Sequence, residues 1–263
     1  GVPVPPFRQV DDAGELRAAL EELGTPAMLK ARTGGYDGRG NTPVSGPGDA
    51  APVGVENAMV EEFVDFEREL SVIGVKGDGE TATFPVVENV HEAEILRRTI
   101  APARTSDAVV ERAQSVATDV LDVMVGRGVY GIELFETRDG EILVNEVAPR
   151  PHNSGHYTIE GALTSQFENH VRAVLGWPLG ATDLRGPTVM ANVLGDVDDT
   201  EPATLRGVRE ALAAPGVSLH WYGKREARPL RKMGHVTGVA RGDEDPEVLL
   251  DRVRAVQETL TFT

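Results

Sequence analysis

Cysteine is absent from the 263 residues, which excludes disulfides, thiolate nucleophiles and Cys-based zinc sites together. Lysine is scarce: Lys30, Lys76, Lys224 and Lys232 stand against 22 arginines in a chain of net charge −16. An acidic surface repels nucleic acid and anionic membranes, so neither is expected as a partner. No apolar run reaches the roughly 18 residues of a membrane span, and no basic-then-apolar signal opens the chain. A cytoplasmic protein is therefore expected. Acidity with little lysine and no cysteine suits a halophilic, high-salt cytoplasm, with ordinary mesophilic acidity as the alternative. There is no initiator methionine either, and Gly1-Val2-Pro3-Val4-Pro5-Pro6 reads like an interdomain linker, which leads us to expect further sequence upstream. Where lysine is this rare, each one held in a strand or loop becomes a sharper candidate for a specific task.

What is present reads as alternating short strands and helices, enough to bury one large α/β domain or two modest ones. Asp11 to Leu23 reads as a helix capped by Asp11, with Leu16, Leu20 and Leu23 at helical spacing and Gly24 as its stop. Pro26 to Ala31 is a short strand ending at Lys30, followed by a loop with four glycines, 32–41. Strands are expected at Ala58 to Val64, Glu69 to Val75 and Thr81 to Glu88, the last two joined by Gly77-Asp78-Gly79. Ser106 to Met124 is a long helix with Val109, Ala113, Val116, Val120 and Val123 on one face. Val129 to Glu136 and Glu141 to Val147 form a hairpin across Arg138-Asp139-Gly140. A polar loop, Pro149 to His156, then leads to a helix through Phe167 to Leu175. After Gly180, strands at Val189 to Leu194, Ser218 to Tyr222 and His235 to Val239 surround helices near Ala203 to Ala214 and Pro246 to Leu260. This texture suggests a smaller α+β part with a boundary near residue 185.

The hairpin carries the first chemical argument. If Asp139-Gly140 are the central residues of a two-residue turn, paired positions sum to 279 and Glu133 faces Glu146 directly. Opposed like charges destabilise a sheet, and both glutamates are flanked by apolar residues. Such a pair calls for a divalent cation, for which magnesium beside phosphate is the usual case, or for a shared proton. A solvated edge pair that tolerates the repulsion stays open. The glycine-rich loop can turn several backbone N–H groups inward as a phosphate nest, and Lys30 can reach the same anion as a point charge. The loop is neither a Walker sequence nor a dinucleotide fingerprint, and alone it is a surface turn as readily as a site. Together, Lys30, the loop and the carboxylate hairpin describe nucleotide phosphates held with magnesium. Glu61, Glu62, Phe63 and Val64, with Glu69 beyond them, could supply an adenine hinge and a ribose carboxylate, or be ordinary acidic surface. Arg150, His152, Asn153 and His156 crowd one loop, and Lys224, Arg231 and Lys232 bring three scarce cations within nine residues. Both groups suit an anionic substrate, or a satisfied loop network.

These pieces, in this order, resemble the ATP-grasp superfamily, and within it the 5-(carboxyamino)imidazole ribonucleotide synthases of purine biosynthesis. The resemblance rests on the stretch from Lys30 to Gly40, on Phe84-Pro85-Val86-Val87-Glu88-Asn89-Val90-His91, and on the run from Asn145 through Asn153-Ser154-Gly155-His156 to Thr158. Tyr222-Gly223-Lys224 and Arg231-Lys232-Met233-Gly234-His235 complete it. It implies an α+β fold in which two α+β subdomains clasp ATP (residues 1–185), followed by a small C-terminal α+β domain (186–263). It further implies that Lys30 and Gly35, Tyr36, Asp37, Gly38, Arg39, Gly40 and Asn41 hold ATP phosphates, that Glu61 to Val64 hold adenine, and that Glu69 holds ribose. His91 would lie beside the nucleotide, and Glu133 and Glu146 would bind Mg²⁺ with Asn145 nearby. Tyr36, Asp37, Arg39, Arg150, His152, Asn153, Lys224 and Arg231 would face 5-aminoimidazole ribonucleotide and bicarbonate. The implied reaction joins bicarbonate to the γ-phosphate as carboxyphosphate, whose carbon dioxide is captured by the substrate amine. A homodimer is also implied.

Two departures qualify the resemblance. Many ATP-grasp enzymes carry Glu-x-Asn at the second metal position, whereas Glu146-Val147-Ala148 has no such asparagine. The family also has an α/β domain ahead of the ATP-grasp part that contributes to the ribonucleotide site, and this chain starts after it, so an isolated fragment is expected to bind nucleotide more readily than to turn over. The rival readings are a formate-dependent glycinamide ribonucleotide transformylase-like ligase and a non-catalytic ATP-binding module.

Overall fold

A computed structural model describes residues 1–34, 40–46 and 56–262. In chain order the elements are β1 (Phe7–Val10), α1 (Ala13–Leu23), β2 (Ala27–Ala31), β3 (Asn41–Val44), β4 (Ala58–Glu62), β5 (Phe66–Lys76), β6 (Thr81–Thr83), β7 (Val87–Glu92), β8 (Ile95–Ala101), α2 (Asp107–Val123), β9 (Gly128–Thr137) and β10 (Ile142–Ala148). There follow a 3₁₀ turn (Asn153–Gly155), α3 (Thr158–Gly161), α4 (Gln166–Leu175), β11 (Thr188–Leu194), β12 (Glu201–Pro202), β13 (Leu205–Arg206), α5 (Val208–Ala213), β14 (Val217–Trp221), β15 (Glu226–Ala227), β16 (Lys232–Val239), α6 (Pro246–Thr259) and β17 (Thr261–Phe262). The chain divides into two compact units. The larger holds Gly1–Val2, Arg68–Leu134 and Glu146–Thr263, and the smaller holds Pro3–Glu67 and Phe135–Asn145.

The smaller unit is built on an antiparallel sheet in the order β1-β4-β2-β3. Alternation along these strands sends Val10, Ala27, Leu29, Val44, Ala58 and Val60 to one face, where Leu16, Ala19 and Leu20 of α1 bury against them. Asp12, not Asp11, caps α1: its carboxylate accepts from the amides of Gly14 and Glu15. Asp11 instead pairs with Arg32 and takes the Glu15 side chain on its own amide. One of two adjacent aspartates had to be the cap, and the ion pair with Arg32 decides which.

In the larger unit the strand order runs β10-β9-β5-β7-β8-β11-β16-β14, with β6 on β5. Helix α2 is capped by Ser106 as expected. At its far end Lys76 donates to the carbonyls of Leu121 (2.6 Å) and Met124 (2.8 Å), so one scarce lysine is committed to a helix C-terminus. Gly74 admits the Leu121 side chain, which would lie 2.8 Å from any Cβ there. Helix α6 packs Leu249, Val253 and Val256 with Val189, Ala191, Val193 and Val236 of β11 and β16.

Several expectations are corrected here. The single strand expected over Thr81 to Glu88 is two, β6 and β7, because Pro85 cannot donate to a ladder. The helix expected over Ala203 to Ala214 contracts to Val208–Ala213, since Leu205 and Arg206 pair instead with Phe262 and Thr261. Strands β1, β3, β8, β12, β13, β15 and β17 were not expected; all but β8 have four residues or fewer, and β8 forms a hairpin with β7 and pairs on its other edge with β11. The β9–β10 turn is not a two-residue turn. The Gly140 amide bonds the Thr137 carbonyl and the Thr137 amide bonds the Glu141 carbonyl, both at 2.9 Å, while Gly140 has φ +75°. This is a three-residue loop with a glycine bulge. Its closing pair sums to 278 rather than 279, so the direct opposition of Glu133 and Glu146 derived from the shorter turn does not follow. No helix among the described residues is long and apolar enough to cross a membrane.

Candidate functional site

In the smaller unit, β2 carries Lys30 between two partners, opposite Asn41 on β3 and Met59 on β4. Its side chain turns to the diagonal residue on β4: Nζ lies 2.6 Å from Oε2 of Glu61, and 3.3 Å from Oδ1 of Asn145. Both partners of the ion pair are largely enclosed, at 17% and 13% side-chain exposure. Sequence reasoning gave Lys30 and Glu61 to different ends of a nucleotide, and the fold makes them one pair. Gly40, at φ +104°, accepts from the Ala31 amide and returns the chain to β3. Gly35, Tyr36, Asp37, Gly38 and Arg39 lie outside the described residues. Glu62 ends β4, and Phe63 beyond it is exposed.

The larger unit gathers the acidic side chains. Burial raises the pKa of Glu133, the charges of Glu146 and Glu69 raise it further, and His91 and Lys232 oppose them. Glu146 therefore acts on Glu133 electrostatically even though the turn alone does not set them face to face. Oε2 of Glu69 lies 2.7 Å from Nδ1 of His91 without hydrogen-bond alignment, and Nε2 of His152 lies 3.5 Å from Oε1 of Glu133. Among the described residues no three His, Asp or Glu side chains are arranged to hold a metal by themselves. That donor set, a half-buried carboxylate with a second one bearing on it, fits Mg²⁺, which takes one or two carboxylates and completes its shell with phosphate and water.

The loop after β10 holds His152 firmly. Its Nδ1 is 2.9 Å from Ser154 Oγ, which is 2.9 Å from Ser71 Oγ on β5. Its Cβ and Cγ press on Gly131 of β9, where an added Cβ would meet them at 2.5 Å. Asn153 and the buried Asn192 exchange amide hydrogen bonds at 3.0 and 2.7 Å. Arg150 donates to the Pro151 carbonyl. Further along, His156, His235 and His220 stack, with centroids 4.9 and 4.4 Å apart. Burial depresses His156 to about 4 and His235 to about 2. Tyr222 Oη sits 2.9 Å from His235 Nδ1, and His220 Nε2 2.6 Å from Glu160 Oε1. Two of the three late cations are tied to the backbone: Lys224 donates to the Lys232 carbonyl at 2.5 Å and stands 5.6 Å from the Tyr222 ring centre, and Arg231 donates to the Glu226 carbonyl at 2.8 Å. Sequence reasoning missed Ser71, Gly131, Glu160, Gln166, Asn192 and His220. They are common residue types whose role appears only when strands distant in sequence come together.

The ATP-grasp domain family matches residues 1–167, and the phosphoribosylaminoimidazole carboxylase C-terminal domain matches residues 188–247. N5-carboxyaminoimidazole ribonucleotide synthase of Bacillus subtilis is 41% identical over 253 residues, covering 93% of this chain and 64% of that protein. The crystal structure of N5-carboxyaminoimidazole ribonucleotide synthetase from Thermotoga maritima has a TM-score of 0.88 at 42% identity, covering 100% of this chain and 69% of that one. An Aspergillus clavatus N5-carboxyaminoimidazole synthase, solved with ADP and 5-aminoimidazole ribonucleotide, has a TM-score of 0.86 at 35% identity, with 98% and 70% coverage. The chain thus spans about two thirds of the length of these relatives. The expected α+β architecture is the one found, and the chain belongs to the ATP-grasp family, in its N5-carboxyaminoimidazole ribonucleotide synthase branch.

Proposed function

We propose that the protein serves the ATP- and bicarbonate-dependent carboxylation of 5-aminoimidazole ribonucleotide to the N5-carboxy product in purine biosynthesis. The observation that carries this reading is the half-buried Glu133, with Glu146 and Glu69 raising its pKa, in a chain whose relatives bear that activity in their names and in one case were solved with ADP and the ribonucleotide. Residues 1–185 form the ATP-grasp part in this proposal and 186–263 the small C-terminal domain.

Lys30 is the phosphate cation, with Gly35 to Asn41 as the phosphate loop. Glu61 to Val64 take adenine, and Glu69 takes ribose beside His91. Glu133 and Glu146, with Asn145 nearby, would hold Mg²⁺, which would supply charge neutralisation at the phosphates. Bicarbonate oxygen attacks the γ-phosphorus, ADP leaves, and the resulting carboxyphosphate breaks down to carbon dioxide and phosphate. The exocyclic amine of the substrate adds to that carbon dioxide and gives up a proton, for which the family resemblance offers Asp37 as the acceptor. Arg39, Arg150, His152, Asn153, Lys224 and Arg231, with Tyr36, orient the anionic reactants, so that catalysis is mainly positioning and charge neutralisation. A high-salt cytoplasm suits the net charge of −16, and a homodimer is proposed from the family resemblance alone.

Phosphate release with ATP and Mg²⁺ tests the reading. Release that requires both the ribonucleotide and bicarbonate supports it. Release with formate and glycinamide ribonucleotide instead would favour a transformylase-like ligase, and ADP binding with no release under either condition would favour a nucleotide-binding module.

A further inference from the structure

Gln166 is the first residue of α4 and is fully buried. Such a position at a helix start is ordinarily filled by a solvated polar residue, yet this carboxamide is turned inward and used at every atom. Its Oε1 accepts from the His152 amide at 2.9 Å, and its Nε2 donates to the His152 carbonyl at 2.8 Å. The second proton of Nε2 faces Nδ1 of His156 at 3.2 Å. The side chain thereby grips the amide and the carbonyl of His152, as a neighbouring strand would. The approach is close enough that an added Cβ on Gly155 would lie 2.5 Å from Oε1. The Gln166 amide is held in turn by Thr158 Oγ1 at 2.9 Å.

The gripped residue bears on Glu133. With its backbone clamped by Gln166, its ring pressed on Gly131 and its Nδ1 on Ser154, His152 is held so that its Nε2 stands 3.5 Å from the Glu133 carboxylate. We propose that Gln166 is a positioning residue, whose clamp on the His152 peptide sets the imidazole that orients Glu133 for its divalent cation. The metal half of this inference rests on the magnesium reading of Glu133 given above; the clamp itself does not.

Two measurements on the full chain decide it, using Gln166→Glu, which keeps the size but places oxygen against the His152 carbonyl and His156 Nδ1. Gln166→Met, which keeps the length without the hydrogen bonds, serves if the first variant does not fold. In metal-free protein with ¹⁵N-labelled histidine, Glu133→Gln is expected to shift the His152 ring signals in the parent and to shift them less than a third as far in the Gln166 variant. Equal shifts in both backgrounds would overturn the clamp. By electron paramagnetic resonance with ADP, the Gln166 variant is expected to bind Mn²⁺ at least tenfold more weakly, while metal-free ADP affinity changes less than twofold. The double variant with His152→Asn should be no weaker than His152→Asn alone, because the two act through one route. A parallel loss of metal-free ADP binding, or additive losses in the double variant, would mean that Gln166 only supports the fold. If the parent binds no Mn²⁺ with ADP, the magnesium reading fails, while the ring signals still decide the clamp.

Discussion

Lys30 and Glu61 form an enclosed ion pair, 2.6 Å between Nζ and Oε2, across neighbouring strands of the small sheet. In the ligand-free chain the cation assigned to phosphate is thus already neutralised by a carboxylate. Removing one partner strands the other in a poorly solvated place. Lys30→Met is expected to lower unfolding stability by about 1–3 kcal/mol, below the range for fully buried pairs because both residues keep some exposure. Lys30→Met with Glu61→Gln should recover most of that loss in urea titrations while ADP affinity stays low. A double variant as unstable as the single one would mean that the pair contributes nothing specific.

Glu133 is a carboxylate kept where burial and two like charges oppose ionisation. For an acid raised in this way the folded state is penalised once the group ionises, so its stability cost grows as pH rises above the ordinary carboxylate range. Glu133→Gln should therefore raise stability at pH 7.5 by about 0.5–2 kcal/mol while abolishing Mg²⁺-dependent ATP turnover. Glu146→Ala should abolish turnover as well. Thermal unfolding and phosphate release check the two halves separately, and intact turnover in Glu146→Ala would remove it from the metal site.

The imidazole stack makes the fold sensitive to acid. His156 and His235 are depressed to about 4 and about 2, against about 6.5 in an unfolded chain. The groups facing them are His220, Lys232, Tyr222 and Gln166, with Glu160 on His220. Between those values the unfolded chain binds protons that the folded one does not, so stability is present above about pH 6.5 and is lost as pH falls toward 4. From pH 7 to pH 5 the loss should reach at most about 2 kcal/mol per ring. His235→Phe should reduce the slope of stability against pH by about one proton near pH 5.5, and an unchanged slope would show that the ring is not held neutral.

Gly131 is required by the His152 ring, which an added Cβ would meet at 2.5 Å. Gly131→Ala is expected to cost about 1–3 kcal/mol through overpacking. It should also weaken Mn²⁺ binding with ADP more than metal-free ADP binding. If both affinities are unchanged, the ring has moved without consequence.

Much of the fold was legible because local chemistry agreed with the final packing. The Ser106 cap appears where the spacing put it, as does the apolar face of α2 through Val109, Ala113, Val116 and Val120, while Val123 at the helix end is exposed and Leu121 is buried instead; α6 begins at Pro246. Where two local signals competed, the sequence could not arbitrate. Asp11 and Asp12 both cap well, and the pairing of Asp11 with Arg32 chose Asp12. Arg138-Asp139-Gly140 suits a two- or a three-residue loop, and the Thr137–Glu141 bonding decided the register.

The sequence by itself determined the residue types of the site, their order along the chain and, through its motifs, the family. These depend on identity and spacing, which need no folding to be read. Only the tertiary structure decided which charges meet: Lys30 with Glu61, His152 with Glu133, and the amide of Gln166 with the peptide of His152. Such pairings arise from strand register and from backbone packed against glycine, so they are set by contacts between residues remote in sequence. The acidic hairpin was visible from the start, but the physical cause of the Glu133 shift is burial first and its acidic neighbours second, and burial exists only once the chain has folded.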